Sequence, residues 1–286
     1  MPGLKIGLAL GGGGARGYAH LGVIRSLKRH SIPIDVIAGT SMGAVIGGAY
    51  ACGINLHKLE LLLKSIDLNK LLRFPRSSLL GLMGNTAQEM LFQGRDWRVK
   101  DTERTENLIE FFNLFSQRKA FSELRMPFAI AAVDVDTGEE VVLKNGSVSR
   151  ALASAIAIPG IHYPVKVDGR FLVDGGVINK VPVELAFALG ADVVIAVDVS
   201  TPTLRGGVSS VEILMQAESI MMRELNQVKL KSLKDQYGGR YVLLQPSVND
   251  VRTLALGDVE TPARAGERET ERRIAEIKAL VVPRSV

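Results

Sequence analysis

Ile34-Asp35-Val36-Ile37-Ala38-Gly39-Thr40-Ser41-Met42-Gly43-Ala44-Val45-Ile46-Gly47-Gly48 is the stretch that decides the fold. Ile34–Ala38 is a short apolar run that reads as a buried strand, and the small and apolar residues from Met42 onward read as a helix. Only Gly39-Thr40-Ser41 lies between them. A strand that passes into a helix over so few residues has to turn sharply, needs small side chains on either side of the turn, and leaves the Ser41 hydroxyl exposed at the end of the sheet. Taken without its flanks, the same segment is a Gly/Ser turn in which Ser41 merely caps the helix. The strand before it and the helix after it favour the sharp elbow.

Outward from this elbow the pattern repeats. Lys5–Leu10 reads as a strand and Arg16–Arg29 as a helix with Leu21, Ile24 and Leu27 on one face. Further buried strands are expected at Phe128–Val135, Asp192–Val199 and Arg240–Leu244, with a helix at Val183–Leu189. Strand and helix in alternation predict an α/β fold: three layers, α/β/α, around a mostly parallel central sheet. Two β-hairpins are added to it. Asp136-Thr137-Gly138 turns Ala131–Val135 onto Glu140–Leu143, and Asp168-Gly169 turns Pro164–Val167 onto Phe171–Val173. Ser209-Ser210-Val211-Glu212 has capping-box spacing and opens a long helix carrying Val211, Leu214, Met215, Met222, Leu225 and Val228, a stripe read first as core and second as a lipid or partner groove. Thr261-Pro262 starts a last, charged helix, with Thr261 as its cap.

Two further motifs stand at strand ends. Gly11-Gly12-Gly13-Gly14-Ala15-Arg16-Gly17 lies between the first strand and its helix, where glycine amides and a helix N-terminus can face an anion. Gly12, Gly14 and Gly17, with Asp35 further on, also fit a dinucleotide fingerprint, whereas Tyr18-Ala19 excludes a P-loop. Asp174-Gly175-Gly176 follows the apolar strand Phe171–Val173, which holds a carboxylate at a strand end, where reacting groups collect in open α/β sheets.

The glycine loop, the Gly39-x-Ser41-x-Gly43 elbow and Asp174-Gly175-Gly176, in this order, resemble the patatin-like phospholipase family, its bacterial members in particular. Leu8–Val23, Ile32–Ala51, Val133–Leu143 and Ala153–Val199, with Ala157-Ile158-Pro159-Gly160, look like family sequence. Leu80–Phe115 looks less so. The resemblance implies a serine lipid acylhydrolase with a Ser41–Asp174 dyad and no histidine, an oxyanion hole at Gly12, Gly13 and Gly14, and the loop's basic residue at Arg16, for substrate binding or oxyanion support. Gly17, Gly39, Gly43, Gly175 and Gly176 are then structural positions of the motifs. No cofactor and no metal is expected.

Each role has rivals among the residues. His20, His30, His57 and His162 are the available imidazoles; His162, after Pro159-Gly160-Ile161, is the best candidate to complete a triad. Asp134 and Asp136 border a hairpin, Asp192 and Asp198 flank a strand, and Arg16 could hold a substrate phosphate or pair with an acid. A dinucleotide-dependent oxidoreductase and a non-catalytic lipid- or protein-binding relative are the alternatives in function.

Composition sets outer limits. The 286 residues, 47% hydrophobic and 23% charged, support one large catalytic domain: a core over about residues 4–200, a helical cover over 56–121 and a C-terminal helical extension over 201–286. The formal charge of +5 contains no Lys/Arg block, and with one Trp and five Tyr a nucleic-acid partner is not expected. The single Cys52 allows neither an internal disulfide nor a cysteine zinc site. No apolar run is long enough to span a bilayer and the first residues lack signal-peptide features, so a cytoplasmic protein with a lipid or ester substrate and, at most, peripheral membrane contact is expected. Oligomeric state, acyl-chain length and regiochemistry are not legible in the pattern.

Overall fold

The computed structural model describes residues 3–65, 102–159, 162–201, 210–253 and 256–281, with side chains of the two helices that begin at 102 and 210 described from 105 and 216. The strands are β1 (Ile6–Leu10), β2 (Val36–Gly39), β3 (Phe128–Asp134), β4 (Glu140–Leu143), β5 (Val165–Val167), β6 (Arg170–Asp174), β7 (Val193–Val197) and β8 (Tyr241–Leu244). The helices are α1 (Ala19–Arg29), α2 (Met42–Ala51), α3 (Leu56–Ser65), α4 (Thr102–Ser116), α5 (Val148–Ala155), α6 (Val183–Ala188), α7 (Ser210–Tyr237), α8 (Glu260–Arg272) and α9 (Ile274–Val281). All eight strands form one sheet in the order β5-β6-β3-β2-β1-β7-β8, with β4 also on β3. Strands β3, β2, β1, β7 and β8 run parallel. Both expected hairpins are present, β3–β4 and β5–β6. Asp168 and Gly169 both take positive φ at the tip of the second, as a two-residue hairpin turn requires.

One register fact positions the site. Ile130 pairs with both Gly39 of β2 and Leu143 of β4, and Ala132 pairs with both Val141 of β4 and Asp174 of β6. A strand has two edges, so β4 occupies one and β2 and β6 share the other. Strand β6 is antiparallel to β3 and β2 is parallel to it, so their carboxyl ends meet on that shared edge, opposite Ile130 and Ala132. The elbow after Gly39 and the Asp174 loop therefore converge, although they are far apart in the chain.

The described part of the region after residue 201 packs on the core. It supplies strand β8, and α8 lies so close on α1 that a Cβ at Gly266 would overlap the Ala19 carbonyl oxygen and one at Gly22 that of Ala263. The cap of α8 differs from expectation: the Thr261 N–H donates to Asp258 Oδ1 (3.0 Å), so Asp258 is the acceptor and Thr261 lies inside the first turn. Both ends of the 56–121 segment are ordinary core helices, with Leu59 and Leu63 of α3 and Phe112 and Phe115 of α4 buried. Residues 66–101 of that cover, and Ser209 of the expected capping box, lie outside the described residues.

Helix α7 departs from expectation at two positions. Among its described side chains the buried ones are Asn226, Leu230 and Leu233, one face at helical spacing, whereas Leu225 and Val228 of the predicted core stripe are exposed, Val228 to 69%, together with Ile220 and Met221; Met222 is half-buried, and the side chains of Val211, Leu214 and Met215 lie outside the described residues. The helix carries apolar residues on two faces, and the one that meets the body includes a polar anchor: Asn226 Nδ2 donates to Asp198 Oδ2 (3.2 Å). No helix among the described residues is long and apolar enough to cross a membrane.

Candidate active site

Ser41 sits between β2 and α2 with φ 54° and ψ −128°, a conformation that L residues avoid and that tight packing must impose. The packing is visible on both sides. A Cβ at Gly39 would stand 2.6 Å from Ala44 Cα, and one at Gly43 would overlap the Leu10 carbonyl oxygen. The turn thus closes against its own helix and against the end of β1, and only glycine fits at either place. This is the elbow that the sequence predicts.

Asp174 ends β6, buried at 5% exposure. Its Oδ1 accepts the Gly176 N–H (2.8 Å), and the Ser41 side chain stands close enough to its carboxylate to favour the charged form. Gly175 has to lack a side chain because a Cβ there would overlap the Ala131 carbonyl oxygen. Burial pushes the carboxyl up from 3.8 to about 6, against the lowering effects of the Ser41 side chain, the Gly176 N–H and the Lys180 charge. Such a group is ionised at neutral pH and is a better proton acceptor than a solvated aspartate.

The glycine loop follows β1 and is held from behind. The Ala15 N–H donates to the Thr253 carbonyl (2.8 Å), Tyr18 Oη donates to the Leu256 carbonyl (3.1 Å), and the Arg16 guanidinium reaches the hydroxyls of Thr201 and Thr253. Arg16 is buried, and desolvation lowers its pKa to about 10 although Asp198 opposes the shift. Its bonds tie the loop to the C-terminal part of the fold. The expected row of three free amides also changes. The Gly12 N–H donates to the Lys180 carbonyl (3.0 Å) and is not free, whereas the N–H groups of Gly13 and Gly14 have no acceptor among the described residues. Gly12 instead provides closeness: a Cβ there would press on Ser41 Cβ at 3.0 Å. Gly17 plays a similar part, since a Cβ there would stand 2.6 Å from Met42 Cγ.

Among the described residues, Asp174 interacts with Ser41, Gly176, Lys180 and Glu218, and no histidine is among them. His20 is fully buried beneath the loop, its Nε2 2.8 Å from the Gly11 carbonyl, and burial lowers its pKa to about 4, so it is a neutral donor that packs. His30 bonds Glu271 (2.8 Å), and the His57 backbone N–H donates to the Asn55 side chain (2.9 Å). The His162 backbone N–H donates to the Ile158 carbonyl (2.9 Å). Asp134 accepts the Asp136 N–H as a turn residue, and the Lys5 N–H donates to Asp192. Asp198 accepts the Ser200 N–H (2.9 Å) as well as the Asn226 amide.

Asp35 removes the support for a dinucleotide site. It precedes β2 and accepts the Ile6 N–H (2.7 Å) at the start of β1. That is the amino end of the sheet, opposite the glycine loop, whereas a ribose-binding acid belongs at the carboxyl end. Among the described residues, no group of three or more His, Cys, Asp or Glu side chains could hold a metal ion.

A family model described as patatin-like phospholipase matches residues 8–187, which include all three motifs. The chain belongs to the patatin-like phospholipase family. An uncharacterised NTE family protein of Mycobacterium tuberculosis is 34% identical over 198 residues, covering 68% of this chain and 49% of its own length. A lysophospholipase of Mycosarcoma maydis is 31% identical over 201 residues, 70% of this chain and 10% of its own. The chain thus spans about half the length of the mycobacterial relatives it matches, and less of the fungal one. The crystal structure of VipD from Legionella pneumophila superposes with a TM-score of 0.56 over 97% of this chain and 67% of that one, at 14% identity, a likeness of fold alone.

Two charged groups near Asp174 escape a reading by motif. Lys180, buried at 8% exposure, lies within electrostatic reach of Asp174 and Asp198. Glu218 of α7 is raised to about 7, chiefly by burial and then by the Asp174 charge. The signal for Lys180 is a lone lysine within the Val177–Val183 stretch, which is apolar apart from it and Asn179. For Glu218 it is an acid on a helix whose inward face spacing alone does not pick out.

Proposed function

We propose that the chain is a lipid acylhydrolase that cleaves carboxylic ester bonds, as a phospholipase A, lysophospholipase or esterase does, with Ser41 as nucleophile and Asp174 as base. The observation that carries this reading is that the β2 and β6 ends bring Ser41 beside Asp174, a buried carboxylate whose affinity for a proton is raised to about 6. A serine hydroxyl needs a base within hydrogen-bond reach. Asp174 takes the Ser41 proton as the oxygen attacks the ester carbonyl, and returns it to the leaving alcohol when the tetrahedral intermediate collapses. Water then cleaves the acyl-enzyme with the same carboxylate as base. The developing oxyanion is assigned to the unpaired amides of Gly13 and Gly14, each such donor contributing about 2.7–4 kcal/mol in the transition state. Arg16 acts by keeping that loop in place.

The test is labelling with a fluorophosphonate and peptide mapping, together with turnover of p-nitrophenyl butyrate by wild type, Ser41→Ala and His162→Ala. The expected result is a label on Ser41, no turnover by Ser41→Ala and turnover by His162→Ala within about threefold of wild type. A loss in His162→Ala comparable to that in Ser41→Ala would replace the dyad by a triad, and an unlabelled, inactive wild type would remove the enzyme reading in favour of a binding protein.

A further inference from the structure

The three motif loops share one fastening point, the dipeptide Asn179–Lys180 that lies between the Asp174 turn and α6. The Asn179 N–H donates to the Gly175 carbonyl (2.8 Å), which closes the turn that follows Asp174. The Asn179 carbonyl accepts the hydroxyl of buried Thr40 (2.8 Å), the residue before Ser41. The Lys180 carbonyl accepts the Gly12 N–H (3.0 Å). One peptide segment thus holds the base turn, the elbow and the glycine loop at the same time.

That segment is itself held by a side chain. Asn179 is fully buried, and its Nδ2 donates to two carboxylates on different elements, Glu140 of β4 and Glu184 of α6 (3.0 Å). Lys229 of α7 forms ion pairs with both acids. Two acceptors that face one group call for two donor hydrogens, and a primary amide supplies both from one nitrogen without adding charge. An aspartate at 179 has the same shape but is an acceptor only. It would place a third carboxylate beside two that already share one lysine, and a buried group left facing like partners is costly.

Resting on the Ser41–Asp174 reading, we propose that Asn179 is a positioning residue for the reaction: its amide, clamped by Glu140 and Glu184, fixes the Asn179–Lys180 backbone and through it the mutual placement of Ser41, Asp174 and the glycine loop. It acts through Thr40, Gly175 and Gly12, and not on substrate. A misplacement of about 1 Å at a reacting group can cost about 10²-fold in rate, so a clamp on the backbone behind the site has a kinetic effect.

The rival role for Asn179 is support of the fold alone, and the time course of fluorophosphonate labelling separates the two. Its end point counts the chains that carry a native site, and its rate constant reports how well Ser41 is placed and activated in those chains. Asn179→Asp with the far-UV circular dichroism of wild type is expected to reach the wild-type end point at least about tenfold more slowly. Adding Glu184→Gln exchanges donor and acceptor at constant charge, and the rate constant is expected to recover by at least about threefold. Glu140→Ala removes one acceptor at a half-buried strand position, and is expected to slow labelling by about threefold. A wild-type rate constant in Asn179→Asp, whatever its end point, overturns the proposal, and so does a slow Asn179→Asp that the exchange does not relieve. Should Asn179→Asp fail to fold, Glu140→Ala decides, and a wild-type rate constant there overturns the proposal equally. Failure here is distinguishable from failure of the dyad: labelling that Ser41→Ala abolishes keeps Ser41 as nucleophile whatever Asn179 does.

Discussion

Replacing Asp174 by asparagine removes a charge that the fold buries at a cost, and the size of that cost follows from its surroundings. Asp174 is 5% exposed, and burial raises its pKa from 3.8 to about 6. Well below pH 3.8 the carboxyl is protonated in both the folded and unfolded chains and no penalty exists. As pH rises past 3.8 the unfolded chain ionises first, so the folded state loses stability until the pH has passed about 6. A shift of roughly two units corresponds to about 3 kcal/mol. The neutral amide of the variant would carry no such penalty, and its oxygen can still accept the Gly176 N–H, although the bonds to a neutral group are weaker by about 1 kcal/mol in total. Asp174→Asn is therefore expected to be about 2 kcal/mol more stable than wild type at pH 7.5 and no more stable at pH 4, while kcat/KM for p-nitrophenyl butyrate falls by about 10²–10⁴. Urea denaturation at the two pH values, read as a change in midpoint at constant slope, measures the first quantity. A variant that gains nothing at pH 7.5, or gains as much at pH 4, would refute the claim that Asp174 is held charged in a desolvated site.

The same carboxylate sets the pH dependence of catalysis: kcat/KM should fall as pH drops, with an apparent pKa of about 6, because the base is lost when it is protonated. Glu218 and Asp174 act on one another, so the limb belongs to the pair, and a limb near pH 4 would contradict the buried placement. Gly43→Ala should unfold the elbow rather than tune it, since the new methyl would overlap the Leu10 carbonyl; a loss of more than about 3 kcal/mol of stability is expected by thermal or urea unfolding, and native stability would show that the backbone can yield.

The elements and the elbow are legible because their causes are local. Apolar runs bounded by glycine and aspartate mark β1, β2, β3 and β7, and Asp168-Gly169 specifies its hairpin by the positive φ that both residues adopt. Gly39, Ser41 and Gly43 announce the sharp turn through residue size alone, while the partnership of Ser41 with Asp174 rests on the family likeness. What the chain alone leaves open depends on contacts between distant segments. Gly12 looks like Gly13 and Gly14 in the sequence, but the Lys180 carbonyl takes its N–H, and the partners of Arg16 are the distant Thr201 and Thr253. The two apolar faces of α7 are indistinguishable by spacing until Asn226 meets Asp198 and fixes which one turns inward. The meeting of the β2 and β6 ends on one edge of β3 is likewise a matter of sheet register, which no local pattern encodes. Periodicity and turn chemistry are properties of neighbouring residues, so the sequence determined the parts; hydrogen-bond partners and burial are properties of the packed whole, and only the tertiary structure decided them.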